Sequence, residues 1–180
     1  MNAPSLLCVA NYPPNAGYAW DFIESIYAGV SDALARRGIR TLVAYPRPRG
    51  EPARLRGSAA EPVYVETSLS SVAGMWAFAR LIARENVKVV YLTDRPVRHA
   101  AYPLLRVAGA RTLVVHDHTS GARRKSSSML QLWKRLMNRT PLTVNEVVAV
   151  SDFVARRQRE AGELPPSRVT RVWNALEARP

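Results

Sequence analysis

Residues 87–121 read VKVVYLTDRPVRHAAYPLLRVAGARTLVVHDHTSG. Two nearly continuous apolar runs, at 87–92 and 112–116, frame a helical pattern that runs from His99 to Ala108 and closes at Gly109. Runs of this kind suit strands buried on both faces, and glycine suits the left-handed residue that ends a helix. Strand, helix and strand in about 30 residues is the unit of a parallel sheet with a right-handed crossover.

The alternation continues in both directions. Strand-like runs occur at 6–10, 41–45 and 63–66 before this unit, and at 146–150 and 169–172 after it. In the first helical pattern Phe22, Ile23, Ile26, Tyr27, Val30 and Leu34 recur at spacings of three and four. Arg36 and Arg37 fill its last turn and Gly38 stops it. A second pattern has Ser70 or Ser71 as cap, an apolar face of Val72, Met75, Trp76, Ala79 and Ile82, and Asn86 as stop. The last spans 152–161, behind Ser151 as cap and before Gly162. The expected fold is α/β: a Rossmann-like, doubly wound, mainly parallel sheet of about seven strands with helices on both faces. Residues 1–173 form this domain, and 174–180 read as the start of an interdomain linker or tail. The basic, proline-rich stretch 46–57 reads as a mobile loop.

At 180 residues the chain suits one domain, and its 47% hydrophobic content argues against general disorder. The apolar run 6–10 is too short for a signal peptide or a membrane span, and no basic segment precedes it. The expected location is therefore the cytoplasm. Cys8 is the sole cysteine, which excludes a disulfide framework and a cysteine-based zinc site. A net charge of +12 favours polyanionic partners without choosing between nucleic acid, anionic lipid and phosphorylated small molecules.

In open α/β sheets ligands gather outside the carboxyl ends of the strands. Three segments fall there. In the first, Asn15, Ala16, Gly17 and Tyr18 stand between the first strand and first helix, where Gly17 permits close backbone approach and the helix N-terminus faces an anion. The spacing is neither that of a dinucleotide fingerprint nor that of a phosphate-binding P-loop. In the second, Asp94 ends a strand and either binds a hydroxyl or caps the next helix. The third is His116-Asp-His-Thr-Ser120. On a strand His116 and His118 share a face, which invites a metal. One aspartate and two histidines without another clustered carboxylate make a thin ligand set, so no metal is expected. No serine occupies a nucleophile elbow either. What remains is a hydrogen-bonding histidine at the mouth of a cleft or a structural one.

Residues 121–142 carry Arg123, Arg124, Lys125, Lys134, Arg135 and Arg139 and no acid. Met129, Leu132, Trp133 and Leu136 share one helical face, joined partly by Met137. Such a basic amphipathic helix reads as a membrane-surface element, with Trp133, Lys134, Arg135, Leu136 and Arg139 at an anionic bilayer. The other reading packs the apolar face on the sheet and leaves the charges in water.

Taken in order, these motifs resemble the N-terminal domain of family-4 glycosyltransferases, retaining enzymes of the GT-B type. That family has a first strand, a loop with proline before Gly-Gly, and a long helix ending in Gly-His or similar. The counterparts are 6–10, Pro13 to Gly17, and Arg37-Gly38-Ile39. A middle strand ending in histidine matches Val114-Val-His-Asp-His-Thr-Ser120, and a v-i-a-v-S-x-x-v pattern matches 147–154. The closing Asn-Gly motif matches 169–176 loosely. Ala16 and Ala175 stand where the family has glycine.

The resemblance implies metal-free sugar transfer in a cleft between two domains, with the leaving phosphate deprotonating the acceptor on the same face. It implies His118 as the catalytic histidine. His116, Asn15, Ala16, Gly17, Tyr18, Asp94, Thr119, Ser120 and Ser151 are expected around the substrates, with Arg123, Arg124 and Lys125 near an acceptor phosphate. No cofactor is expected in this chain, and a nucleotide sugar is the donor substrate of the complete enzyme. The donor-binding domain with its Glu-x7-Glu motif has no counterpart here, so this acceptor half is expected to be inactive alone. Its expected partners are that missing C-terminal domain, a sugar or lipid-linked acceptor of cell-envelope or polysaccharide synthesis, and the cytoplasmic membrane face. The rival is a stand-alone basic binding or scaffold domain for anionic lipid or nucleic acid. Nucleic acid is the weaker partner, because no RRM, KH, OB or helix-turn-helix pattern is present.

Overall fold

The computed structural model describes residues 4–119, 121 and 127–173. Seven strands form one sheet: β1 (Ser5–Val9), β2 (Arg40–Tyr45), β3 (Ala60–Tyr64), β4 (Val87–Thr93), β5 (Thr112–Asp117), β6 (Glu146–Ala149) and β7 (Val169–Arg171). Their order is β3-β2-β1-β4-β5-β6-β7 and every pairing is parallel. Among the described residues five α-helices join these strands: α1 (Tyr18–Ala35), α2 (Val72–Arg84), α3 (Tyr102–Val107), α4 (Ser128–Met137) and α5 (Asp152–Glu160). A 3-10 turn at Ala53–Leu55 lies between β2 and β3.

The chain winds outward from β1 to β3, then returns to lay β4 beside β1. Strand order reverses between β1 and β4, which is where a doubly wound sheet opens a crevice. Alternation along each strand divides the core in two. Leu6, Cys8 and Ala10 face Trp20, Ile23 and Tyr27 of α1 on one side. Leu7 and Val9 face the other, where Phe78 and Ile82 of α2, Tyr102 and Leu105 of α3 and Val154 of α5 pack together.

Local chemistry sets the ends of several elements. Gly38, at φ 70°, stops α1, with its N–H on the Ala35 carbonyl and the Ile39 N–H on the Leu34 carbonyl. The Ser71 hydroxyl accepts from the Gly74 N–H at 3.0 Å, and the Ser151 hydroxyl from the Val154 N–H at 3.2 Å, which caps α2 and α5.

Three expectations change. α3 starts at Tyr102 rather than His99, because the His99 N–H is held by the Leu142 carbonyl and Pro103 favours the first turn. The buried face of α2 is Gly74, Phe78, Ala79, Leu81 and Ile82, while Val72 and Trp76 are exposed. The proline-rich stretch 46–57 is pinned rather than loose. The Asn15 amide donates to the Glu51 carbonyl at 2.9 Å and its oxygen accepts from the Ala53 N–H at 3.1 Å, while Leu55 is buried.

α4 is built in reverse. None of its residues is buried, and Met129, Leu132, Trp133 and Leu136 all point to solvent. Its polar side meets the protein instead. Lys134 Nζ donates to the Ala161 carbonyl at 2.7 Å and Arg135 Nε to Glu163 Oε2 at 2.8 Å. Asn138, just past the helix, is buried; it accepts from the Arg98 guanidinium and donates to the Glu163 carbonyl. The reading in which α4 packs its apolar face on the sheet is therefore overturned. Lys134 and Arg135 are also engaged with the protein's own acceptors, so they do not extend freely from the face that carries Trp133 and Leu136.

Candidate functional site at the strand ends

The carboxyl ends of β1, β4 and β5 meet at the crevice. The Asn11 side chain donates to the Thr93 carbonyl, tying the end of β1 to that of β4. The Asp94 N–H donates to the His116 carbonyl at 2.9 Å, tying β4 to β5. Asp94 has φ 51°, a left-handed conformation that costs most residues free energy and that aspartate tolerates better than most. This turn aims its carboxylate back at β5, where Oδ1 accepts from the His118 N–H at 2.7 Å. Asp94 thus braces the next strand. It does not cap α3, whose N-cap residue is Ala101.

His116 and His118 lie on the α1 side of the sheet with ring centroids 4.0 Å apart. His116 is buried, and its Nδ1 is 2.7 Å from the Tyr91 hydroxyl. Tyr91 in turn packs edge-on against Tyr27 of α1. Burial lowers the His116 pKa to about 3, helped by the neighbouring His118, so its imidazole is neutral at neutral pH. His118 sits one turn of the strand further out, with its side chain 15% exposed and Nδ1 3.7 Å from Asp94 Oδ1, too long for a hydrogen bond. The Nε2 of His116 and both ring nitrogens of His118 are shielded from water and unpartnered among the described residues. These nitrogens therefore have hydrogen-bonding capacity that the described residues leave unused.

The opposite side of β5 is closed chemically. Asp117 is buried; its Oδ1 accepts from the Thr119 N–H and hydroxyl, and its Oδ2 from Arg157 at 2.7 Å and Gln158 at 2.5 Å. Burial pushes the Asp117 carboxyl up, but these hydrogen bonds outweigh it and hold the pKa below the usual aspartate value. Arg157 also reaches the carbonyls of Thr119 and Gly121 at 2.8 and 2.9 Å, so it fixes the loop that leaves β5. Beside this network a cleft of about 370 Å³ opens between the turn 94–98, Asp117, Thr119 and the Trp133 indole.

The expected site residues separate accordingly. His116, His118 and Asp94 come together, and Ala16 and Gly17 stand exposed at the α1 N-terminus beyond the end of β1. At Gly17, φ 117° demands glycine although an added Cβ would meet no atom. Asn15 is committed to the 46–57 stretch, Thr119 to Asp117 and Arg157, and Ser151 to its cap, so none of these three side chains is held ready for a substrate. Ser120, Arg123, Arg124 and Lys125, the side chain of Tyr18, and the tail 174–180 lie outside the described residues. Among the described residues no three His, Cys, Asp or Glu side chains gather closely enough to hold a metal ion, and no helix is long and apolar enough to cross a membrane.

Arg157 and Gln158 escaped the sequence reading. They occupy the apolar stripe of α5 with Val154 and Ala161, and two polar residues on such a stripe signal a buried network. Tyr91 and Arg95 carried no comparable signal, because their partners come from distant segments.

Comparison with known proteins agrees with this arrangement. Residues 23–178 match the model of Glycosyltransferase Family 4. A glycosyltransferase from Rickettsia africae ESF-5 is similar in fold, with a TM-score of 0.63 at 18% identity over 96% of this chain and 43% of its own. Anabaena Alr3699/HepE, solved with UDP and glucose, gives 0.55 at 16% identity over 96% of this chain and 44% of its own. The chain thus spans less than half the length of these two structures. No curated protein sequence matches significantly.

Proposed function

The chain belongs to glycosyltransferase family 4, and we propose that it forms the acceptor-side half of a retaining sugar transferase. A second domain supplies the donor site, and a nucleotide sugar lies in the cleft between the two. The UDP and glucose held by the Anabaena relative motivate that choice of donor. The observation that carries the reading is His118, whose two ring nitrogens are buried and unpartnered at the switch-point edge. A hydroxyl of the reacting sugar supplies the missing partner. Asp94 orients the backbone beneath His118, and His116 remains neutral so that no positive charge abuts it. The leaving phosphate takes the acceptor proton on the face it departs from, which preserves the anomeric configuration.

The test uses the full-length enzyme with a panel of nucleotide sugars and a lipid extract. Transfer with retained configuration is expected, and none from residues 1–180 alone. Transfer with inversion, or robust turnover by the 180-residue chain, overturns the proposal.

The outward apolar face of α4 supports a membrane-bound acceptor. Basic residues near an anionic bilayer contribute about 1 kcal/mol each, and inserted apolar side chains add a salt-insensitive part. Sedimentation with anionic vesicles should weaken with salt without vanishing, and should fall sharply in a Leu132→Glu/Leu136→Glu variant. Equal sedimentation of both proteins removes the membrane element.

A further inference from the structure

The cleft on the Trp133 side of β5 contains four charged side chains, and three have settled partners. Asp117 is enclosed by Thr119, Arg157 and Gln158, and Asp94 accepts from His118. Arg98 donates to Asn138 and to the Gly162 carbonyl, which anchors the end of α4. Arg95 differs. It is half-buried in the cleft wall and, unlike Arg98, makes no side-chain hydrogen bond to a described residue. Its Nε, like that of Arg98, is shielded from water, and it joins none of the ion pairs among the described residues.

A guanidinium partly shielded from water, with no ion-pair partner in contact, has capacity for an anion, and its planar fork matches the oxygens of phosphate. Burial pulls the Arg95 pKa below the ordinary arginine value, and neighbouring Tyr102 and Glu66 offset this in part. It still keeps its proton at neutral pH. Across the cleft stands the half-exposed Trp133 indole, an apolar plane beside a cationic group. A volume of about 370 Å³ falls within the range of small-molecule sites and exceeds the needs of a bare ion.

We propose that this cleft is an oxyanion subsite, in which Arg95 receives a phosphate group of the acceptor and the Trp133 indole covers the apolar face of the adjoining sugar ring. The assignment to an acceptor rests on the acceptor-side reading above; the phosphate contact itself does not. The phosphate is that of a soluble sugar phosphate or of a lipid headgroup, and both present the same oxygens to Arg95.

Two-dimensional NMR of the 180-residue chain tests this, with the Trp133 indole resonance assigned through Trp133→Phe. The probes are glucose, inorganic phosphate, glucose 1-phosphate, and bicelles with or without phosphatidylinositol. Glucose 1-phosphate should shift the indole resonance saturably, inorganic phosphate more weakly, and glucose not at all. Arg95→Gln should lose at least tenfold in affinity, about 1.4 kcal/mol, with the amide spectrum otherwise retained. Arg95→Lys, which keeps the charge without the fork, should lose less. A response to phosphatidylinositol bicelles alone, abolished by Arg95→Gln, assigns the phosphate to a lipid. Equal response to glucose and glucose 1-phosphate, native affinity in Arg95→Gln, or no response to any phosphate overturns the subsite. Retaining transfer by the full-length enzyme survives that failure. Conversely, Arg95-dependent binding beside absent or inverting transfer keeps the subsite and removes the acceptor role.

Discussion

The two sides of the β5 terminus use similar chemistry to opposite ends. Toward α5, each oxygen of Asp117 has two donors, and Arg157 extends the network to the carbonyls of the loop beyond, although Arg157 Nε and Gln158 Oε1 lack a partner among the described residues. Toward α1, three imidazole nitrogens of His116 and His118 are shielded from water and have no partner among the described residues. A carboxylate with both oxygens filled and clamped to a guanidinium holds a shape, whereas imidazoles with open nitrogens at a crevice have bonding capacity for a ligand. The difference between these adjoining residues teaches that burial of a polar side chain does not by itself mark a functional site. Open hydrogen-bonding capacity at the mouth of the crevice is what sets the two histidines apart.

The largest effect should come from breaking the Asp117–Arg157 clamp. Asp117→Ala leaves the Arg157 guanidinium buried without a counter-ion, with oxygens of Thr119 and Gly121 as its remaining acceptors, at a cost of about 3–5 kcal/mol. Chemical denaturation should show that loss, and a change below 1 kcal/mol would deny the network its structural role. Next comes the histidine side. In the full-length enzyme His118→Ala should lower kcat by roughly ten- to thousandfold, the range for removing a positioned polar group, with the unfolding midpoint little changed. His116→Ala should do the reverse, lowering stability more than turnover. Exchanged phenotypes would move the functional role one pleat inward.

A smaller effect sharpens the contrast through pH. The His116 pKa is about 3 in the folded chain and ordinary, near 6.5, in the unfolded one, so the unfolded state binds more protons between those values. Stability from this residue is complete above pH 6.5 and is lost as pH falls toward 3, at up to about 1.4 kcal/mol per unit. Asp117, with its folded pKa depressed, keeps its contribution until pH falls below the ordinary aspartate range. Between pH 6.5 and 4.5, His116→Gln should therefore flatten the stability slope. An unchanged slope would place the titration elsewhere.

All seven strands left a signal in the sequence, the inner ones because parallel strands covered on both faces leave apolar runs. The sequence reads β3 at 63–66, but it forms at Ala60–Tyr64, because this edge strand is largely exposed and carries Glu61 and Pro62. The caps at Ser71 and Ser151 and the stop at Gly38 were equally local, hence readable. The face of α2 was not, since Val72, Trp76, Phe78 and Leu81 supply apolar residues around most of its circumference and periodicity alone selects no side. The orientation of α4 escaped for another reason. Its apolar stripe is plain in the sequence, but the polar groups that turn it outward, Arg98, Ala161 and Glu163, come from segments flanking it on both sides. At the site, two histidines on one face could be read from strand periodicity. The commitments of Asn15 and Thr119 could not, because they depend on partners folded in from Glu51, Ala53 and Arg157.

The polar attachment of α4 also has a kinetic meaning. A helix held by hydrogen bonds, with no apolar residue buried, has little to lose by detaching, because water replaces each bond it gives up. Its amides should exchange with deuterium through local opening, at a free energy well below that protecting β4 and β5. A surface that covers Leu132 and Leu136 would slow that exchange in α4 while leaving the sheet unchanged, so the helix would report occupancy of its outer face by its own clock.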